Sequence, residues 1–211
     1  IDGIKRIRLS SVEPIIITDE FMERSLKTEK LCDHFHLSLQ SGSNNILKAM
    51  NRRYTREEYI EKANIIRKYM PYAGLTTDII VGFPGESEED FEDSMSIVRE
   101  VGFSRIHVFK YSKRKNTKAA AMKNQIDGNI KKERSEKLIA LGEEYQKIFE
   151  RENIKTPKSV LFEEEHDKEY YGYTTNYIRV KANSDIDIKN KIKNVKILDT
   201  GEIANCEIIG D

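Results

Sequence analysis

Leu75-Thr-Thr-Asp-Ile-Ile-Val-Gly-Phe-Pro-Gly-Glu-Ser-Glu-Glu-Asp90 is the stretch that decides how this chain folds. Leu75–Val81 is rich in Thr, Ile and Val, side chains that fit a pleated, buried strand. Gly82-Phe83-Pro84-Gly85 breaks the run with turn-forming residues. Ser87 followed by acids opens a helix over Ser87–Val101, the hydroxyl capping free N–H groups and the acids complementing the helix's positive end. Gly102 stops that helix, and Ile106–Tyr111 reads as another strand. Strand, glycine turn, helix and strand make a βαβ unit whose two strands run parallel.

The same grammar extends toward the N-terminus. Ile4–Ser10 and Phe35–Leu39 read as strands. Thr18–Lys27, Asn44–Met50 and Thr55–Tyr69 read as helices, the last opened by a Thr55-Arg-Glu-Glu58 capping box. The predicted class is α/β: a partial parallel (β/α) barrel or open sheet, since four visible strands fall short of a closed eight-fold barrel of about 250 residues. Lys131–Asn153 is a long amphipathic helix in which Leu138, Leu141, Tyr145 and Ile148 recur at helical spacing. Beyond Thr156 short strands alternate with polar turns, at Ser159–Glu163, Tyr177–Lys181, Val195–Thr200 and Glu202–Ile209. They predict a small antiparallel, OB-like β-barrel. The expected domains are therefore 1–154 and 155–211.

Charge is balanced overall, with 36 basic and 36 acidic residues, but unevenly spread. Residues 1–104 carry a net −4, 105–154 a net +6 and 155–211 a net −2; Arg105–Lys123 holds seven basic residues and no acid. Such a patch attracts polyanions even from a neutral protein, and it is equally what a solvated loop looks like. No apolar run approaches the roughly 20 residues of a membrane span. The opening Ile-Asp-Gly-Ile-Lys has no signal-peptide texture and reads as the start of an excised piece of a cytoplasmic protein. The two cysteines, Cys32 and Cys206, are far apart and in no paired motif, so neither a metal site nor a disulfide framework is expected from this chain.

In parallel α/β folds ligands bind beyond the carboxyl ends of the strands. Four strings fall there: Ser10–Pro14, Gln40–Ser43, Gly82–Glu86 and Tyr111–Arg114. Gln40, Ser41 and Ser43 offer small hydrogen-bonding groups, or a plain turn with Ser43 as cap. Asp78 is a carboxylate within an apolar strand and needs a partner. Arg52, between two helices, suits a carboxylate clamp or simply solvent. His36 and His107, read as lying on adjacent strands, either point into a barrel centre or are satisfied interior polar groups. Tyr170–Arg179 interleaves tyrosines with amides and an arginine; Tyr171, Tyr173 and Tyr177 suit stacking on unpaired bases and Arg179 suits phosphate, the plainer alternative being barrel core.

Taken together, Leu39-Gln-Ser-Gly-Ser-Asn44, Met50-Asn-Arg-Arg-Tyr-Thr55, Thr77-Asp-Ile-Ile-Val-Gly-Phe-Pro-Gly-Glu86 and Phe109-Lys-Tyr-Ser112 resemble the radical-SAM methylthiotransferases, in that family's order and spacing. Arg8-Leu-Ser-Ser-Val-Glu-Pro14 and Arg105-Ile-His-Val-Phe109 look most like the bacterial threonylcarbamoyladenosine tRNA branch, rather than the isopentenyladenosine or ribosomal-protein S12 branches. The resemblance implies an enzyme that inserts a methylthio group into an adenosine beside the tRNA anticodon, using S-adenosylmethionine, a [4Fe–4S] cluster and an electron donor, with a C-terminal TRAM domain. Its CxxxCxxC cluster motif is absent from this sequence, so the chain is expected to bind no cofactor and to be inactive alone. The resemblance places Gln40, Ser41, Ser43, Arg52, Asp78 and Gly82 around S-adenosylmethionine, and Glu13 and Tyr111 toward the reacting nucleoside. Lys113, Arg114 and Lys115 join the tyrosines and Arg179 as the grip on the anticodon stem-loop. Asn116 stands where the family usually has glycine. A truncated barrel edge at Ile4–Ser10 is expected to self-associate. The remaining alternative is a non-enzymatic RNA-binding module.

Overall fold

A computed structural model describes residues 2–154 and 156–210. Ile1, Lys155 and Asp211, the outer ends and the junction of the two expected domains, lie outside the described residues.

Four strands, β1 (Ile7–Val12), β2 (Leu31–Leu37), β3 (Gly74–Val81) and β4 (Arg105–Lys110), form one sheet in the order β1-β2-β3-β4 with every pairing parallel. The intervening helices are α1 (Asp19–Leu26), α2 (Asn44–Ala49), α3 (Arg56–Tyr69) and α4 (Glu88–Val101). Their starts follow from side-chain chemistry. Thr18 accepts from the Phe21 N–H, and both Thr55/Glu58 and Ser87/Asp90 close full capping boxes. Gly102, at φ 59°, ends α4 in the left-handed conformation. A short helix α5 (Lys118–Ala121) precedes the long α6 (Gly128–Glu152).

One face of the sheet is apolar. Phe35, Leu37, Leu75, Ile79 and Val81 are at most 1% exposed and share a core with Tyr59, Ile66, Phe91, Ile97 and Leu138 from the helices. Because side chains alternate along a strand, the residues between them face the other way. That helix-free face is polar: Arg8 and Ser10, His34 and His36, Thr76 and Asp78, Arg105 and His107. Thr77 is polar yet lies on the apolar face, where it is fully buried and its hydroxyl bonds the Leu37 carbonyl. Helix α6 packs on β4 so closely that a Cβ on Gly142 would meet Ile106 Cγ1 at 2.4 Å.

The C-terminal part is a closed five-stranded barrel of β5 (Pro157–His166), β6 (Glu169–Thr174), β7 (Arg179–Asn183), β8 (Lys191–Ile197) and β9 (Ala204–Gly210). Its core is Val160, Phe162, Val180, Ile188, Val195, Ile197 and Ala204, all inaccessible. It is mixed rather than antiparallel, because β7 pairs β9 in parallel. It also has one strand more than expected, since Glu169–Thr174 is β6 and Tyr177 lies in the turn after it.

The barrel abuts the amino-terminal ends of the sheet strands. Asn176 Nδ2 donates to the Tyr72 carbonyl (3.2 Å) and to Asn153 Oδ1 (3.0 Å). Arg6 donates to Ser159 Oγ (2.8 Å) and the Tyr173 carbonyl (3.2 Å). A Cβ on Gly74 would lie 2.2 Å from the Asn176 carbonyl oxygen, so the backbone approach there needs glycine.

Candidate functional site

The opposite, carboxyl-terminal ends of the four strands bring the predicted strings onto one rim. Gln40 continues β2 in the left-handed region at φ 71° and still bridges β3: its N–H donates to the Asp78 carbonyl and its carbonyl accepts from the Ile80 N–H. A non-glycine residue held there is a strained point retained by its surroundings. Ser41 and Ser43 are buried and bonded within the protein. Ser43 Oγ donates to Asp90 Oδ1 (2.6 Å), Ser41 Oγ accepts from the Ser43 N–H (3.2 Å), and Asp90 also receives Asn45. This network ties the start of α2 to the start of α4. Gly42 is required beneath it, because a Cβ would meet Asp93 O and Ser94 Cα at 2.5 Å. Of this string Gln40 is the side chain left half-exposed.

The loop after β3 is held from within. Gly82, at φ 70°, donates its N–H to Glu86 Oε2 (2.7 Å), and the same oxygen accepts from Arg134 Nη1 of α6 (2.7 Å). Arg134 also bonds the Glu86 carbonyl and Glu88. Glu86 is fully buried at its side chain and Arg134 8% exposed. Burial pushes the Glu86 carboxyl up despite the Gly82 and Arg134 bonds. The Lys131 side chain lies over Gly82, and its ammonium sits 5.3 Å from the Tyr111 ring. Tyr111 meets Phe83 edge-on at 5.3 Å, and its hydroxyl is buried with no partner among the described residues. Arg52 Nε is likewise buried and unpartnered. These orphaned donors fit a site that takes a polar ligand. Glu13 is exposed, at the cap of the 3-10 turn Pro14–Ile16.

Asp78 is half-buried, and its partner is His36, with Nε2 3.4 Å from Oδ2. Thr76 Oγ1 meets both His34 Nε2 and His36 Nδ1 at 3.0 Å. His36 and His107 are not on adjacent strands: β3 runs between them, Asp78 stands opposite His107, and the two rings are 6.4 Å apart. Burial pushes His34 down to about 3, with the neighbouring charges of Arg8 and His36 acting in the same direction. Burial, with Arg105, also lowers His107.

Lys113, Arg114 and Lys115 are exposed in the loop leaving β4 at this rim, and none forms an ion pair among the described residues. Asn116 adopts φ 65°, a conformation glycine takes freely and asparagine tolerates. The barrel residues lie at the other end of the sheet. Tyr177 stacks on Tyr173 (4.6 Å, 19°) and lies 4.5 Å from His34, while Arg8 covers its ring at 4.1 Å. Arg179 pairs Glu164 at 3.5 Å, and Tyr171 donates to Glu169 (2.7 Å). Two features escape sequence reading: the Glu86–Arg134 pair, whose partners are 48 residues apart, and the polar face as a whole. The second had a signal, namely a pair of polar residues two positions apart in each of the four strands: Arg8 and Ser10, His34 and His36, Thr76 and Asp78, Arg105 and His107.

Cys32, in β2, and Cys206, in β9, are free and buried, and burial pushes Cys206 up to about 12. No group of three or more His, Cys, Asp or Glu among the described residues can hold a metal ion. The described residues therefore do not fit an iron–sulfur cluster. No helix among them is long and apolar enough to cross a membrane.

The sequence profile of the radical SAM superfamily matches residues 1–98. Over 206 residues the chain is 43% identical to the threonylcarbamoyladenosine tRNA methylthiotransferase MtaB of Bacillus subtilis, covering 95% of this chain and 46% of that protein. It is 40% identical over 202 residues to a tRNA-2-methylthio-N(6)-dimethylallyladenosine synthase of Alkaliphilus oremlandii, covering 94% and 43%. The chain thus spans about half the length of the curated relatives it matches. Among solved structures, the radical SAM enzyme coproporphyrinogen III oxidase of Escherichia coli superposes with a TM-score of 0.56 at 16% identity, over 81% of this chain and 46% of that one; the likeness is one of fold.

Proposed function

We propose, from the premise that this chain belongs to the radical SAM methylthiotransferases, that it forms the ligand-facing rim and the RNA grip of an enzyme that adds a methylthio group to threonylcarbamoyladenosine beside the tRNA anticodon. The observation that carries this reading is the rim itself. Four parallel strands end in Gln40, Gly82, Tyr111 and the Glu13–Pro14 turn, with two buried donors there, Arg52 Nε and the Tyr111 hydroxyl, without a partner among the described residues.

In this reading S-adenosylmethionine lies across the rim and supplies the radical chemistry when bound. Arg52 meets its carboxylate. Gln40, with Ser41 and Ser43 behind it shaping the turn, borders its ribose or methionine part. Asp78 and the Gly82 backbone line the adenine or ribose side, while Glu13 and Tyr111 face the target nucleoside. Lys113, Arg114 and Lys115 grip the anticodon stem-loop. The barrel acts as a TRAM domain whose Tyr171, Tyr173, Tyr177 and Arg179 assist. The cluster and its electron donor act from outside this chain, which is inert alone, and the open outer edge of β1 makes the isolated chain self-associate.

The test is the methylthio content of tRNA and of ribosomal protein S12 in cells lacking the intact gene, measured by mass spectrometry. Loss from threonylcarbamoyladenosine is expected. Loss from dimethylallyladenosine or from S12 instead would move the protein to another branch. Unchanged tRNA and S12 would leave a non-enzymatic RNA-binding module.

A further inference from the structure

Between residues 131 and 137, helix α6 carries four cations, and acids match three of them. Lys132 faces Glu136 at 3.8 Å, Lys137 pairs Glu133 at 2.8 Å, and Arg134 is held by Glu86 and Glu88. Lys131 forms no ion pair among the described residues. The acid one turn before it, Asp127, is engaged as the helix cap: its side chain accepts from the Asn129 N–H at 2.8 Å. Nor does the charge of Lys131 serve the helix. A cation in the first turn opposes the positive end of the helix dipole. Helices α1, α3 and α4 place acids in that turn, whereas α6 has none.

The side chain is laid across the rim. Its stem passes over Gly82, where a Cβ would collide with Lys131 Cγ and lie 3.1 Å from Cδ and 3.2 Å from Cε. Gly82 is therefore a saddle for the lysine as well as a left-handed turn residue. The ammonium ends 5.3 Å from the Tyr111 ring, which Phe83 meets edge-on. An aromatic face within about 6 Å holds a cation in place, and it has no net charge with which to neutralise it. Gly82 and Tyr111 are the first residues beyond β3 and β4. The charge thus sits at the carboxyl ends of those strands, where the Lys113–Lys115 loop departs. Arg52 follows β2, so the rim has two separate cationic points.

We infer that Lys131 is a substrate-positioning residue: it binds a phosphate flanking the target adenosine and so sets that nucleoside against Tyr111. An ammonium meets a phosphate oxygen in a charge-assisted hydrogen bond. The inference rests on the proposed function, which supplies the RNA. It adds a contact at the nucleotide to be modified to the sequence-blind grip of the loop.

The experiment is fluorescence anisotropy of an anticodon stem-loop hairpin carrying threonylcarbamoyladenosine. It is titrated with the chain in the absence of S-adenosylmethionine, so no effect arises from the carboxylate of that molecule. Three hairpins are compared: one unaltered, and two with an uncharged methylphosphonate on the 5′ or the 3′ side of the modified nucleoside. Lys131→Met keeps a stem over Gly82 and removes the charge. It should bind the unaltered hairpin about tenfold more weakly, the worth of one charge-assisted bond, with an unchanged thermal midpoint. Neutralising one of the two phosphates should cost the parent a similar factor and cost Lys131→Met nothing further. Lys131→Arg should keep the parent's sensitivity to that phosphate. Losses that multiply at both phosphates, undiminished binding by Lys131→Met, or no binding of the unaltered hairpin would each overturn the inference. Each of these can occur while the gene-deletion result stands. A deletion strain with unchanged tRNA would sink the proposed function whatever the hairpins show.

Discussion

The guanidinium of Arg8, on β1, lies 4.1 Å above the ring of Tyr177, in the turn between β6 and β7. Tyr173 stacks at 4.6 Å and His34 stands 4.5 Å away, so Tyr177 is a joint between the sheet and the barrel. A cation over an aromatic face contributes about 0.5–2 kcal/mol, depending on desolvation. Tyr177→Ala should therefore lower the thermal midpoint by about 2–4 °C for a domain of this size and speed tryptic cleavage between the two parts. If the midpoint holds while tRNA affinity falls about tenfold, Tyr177 is stacking on RNA and not on Arg8.

His34 makes stability depend on pH. Its folded-state pKa is lowered to about 3 by burial and by the charges of Arg8 and His36. An unfolded histidine titrates near 6.5, so between about pH 6.5 and 3 the unfolded chain binds a proton that the folded chain refuses. Its contribution is fully present above pH 6.5 and is lost as pH falls, by up to about 1.4 kcal/mol per pH unit. Urea midpoints at pH 7 and pH 5 should differ, and His34→Gln should flatten that difference. A variant with the same acid slope as the parent would mean that His34 takes up its proton in the folded state.

The fold was far more legible than the site. The strand Gly74–Val81 and the helix Glu88–Val101 announce themselves through β-branched residues, a capping serine and a stopping glycine, all local signals. Strand β6 was hidden because its tyrosines, on both faces of the strand, look like a binding motif as much as a barrel wall. His36 and His107 seemed neighbours because register between parallel strands is set by packing across the sheet, and the sequence does not record that β3 runs between them. The bond from Ser43 to Asp90 was out of reach because its partner lies 47 residues away in sequence.

Arg134 should prove indispensable to the loop after β3. Its partner Glu86 is fully buried at the side chain and holds the Gly82 N–H with the same oxygen. Arg134→Met leaves a buried carboxylate with only that amide, and breaking such a pair costs about 3–5 kcal/mol. Adding Glu86→Gln removes the stranded charge and should recover part of the loss, so the two substitutions are not additive. Urea unfolding of the four proteins in the cycle measures the coupling; strict additivity would show that the pair contributes nothing jointly.

The loop leaving β4 supplies the last test, because charge there has no structural work to do. Lys113, Arg114 and Lys115 are exposed, and the loop departs from the same rim as Tyr111. Substituting all three with Ala should leave the thermal midpoint within the small range of surface changes, about 0.5 kcal/mol per site. If they neutralise phosphates, each contact releases counterions, and the slope of log K against log salt for tRNA should flatten by about 2–3. Affinity should then fall uniformly across tRNA sequences, since phosphate contacts position without specifying. An unchanged salt slope would remove the loop from the interface and shift the grip to the barrel. Arg179 is the cation to examine next there, although Glu164 already holds it at 3.5 Å.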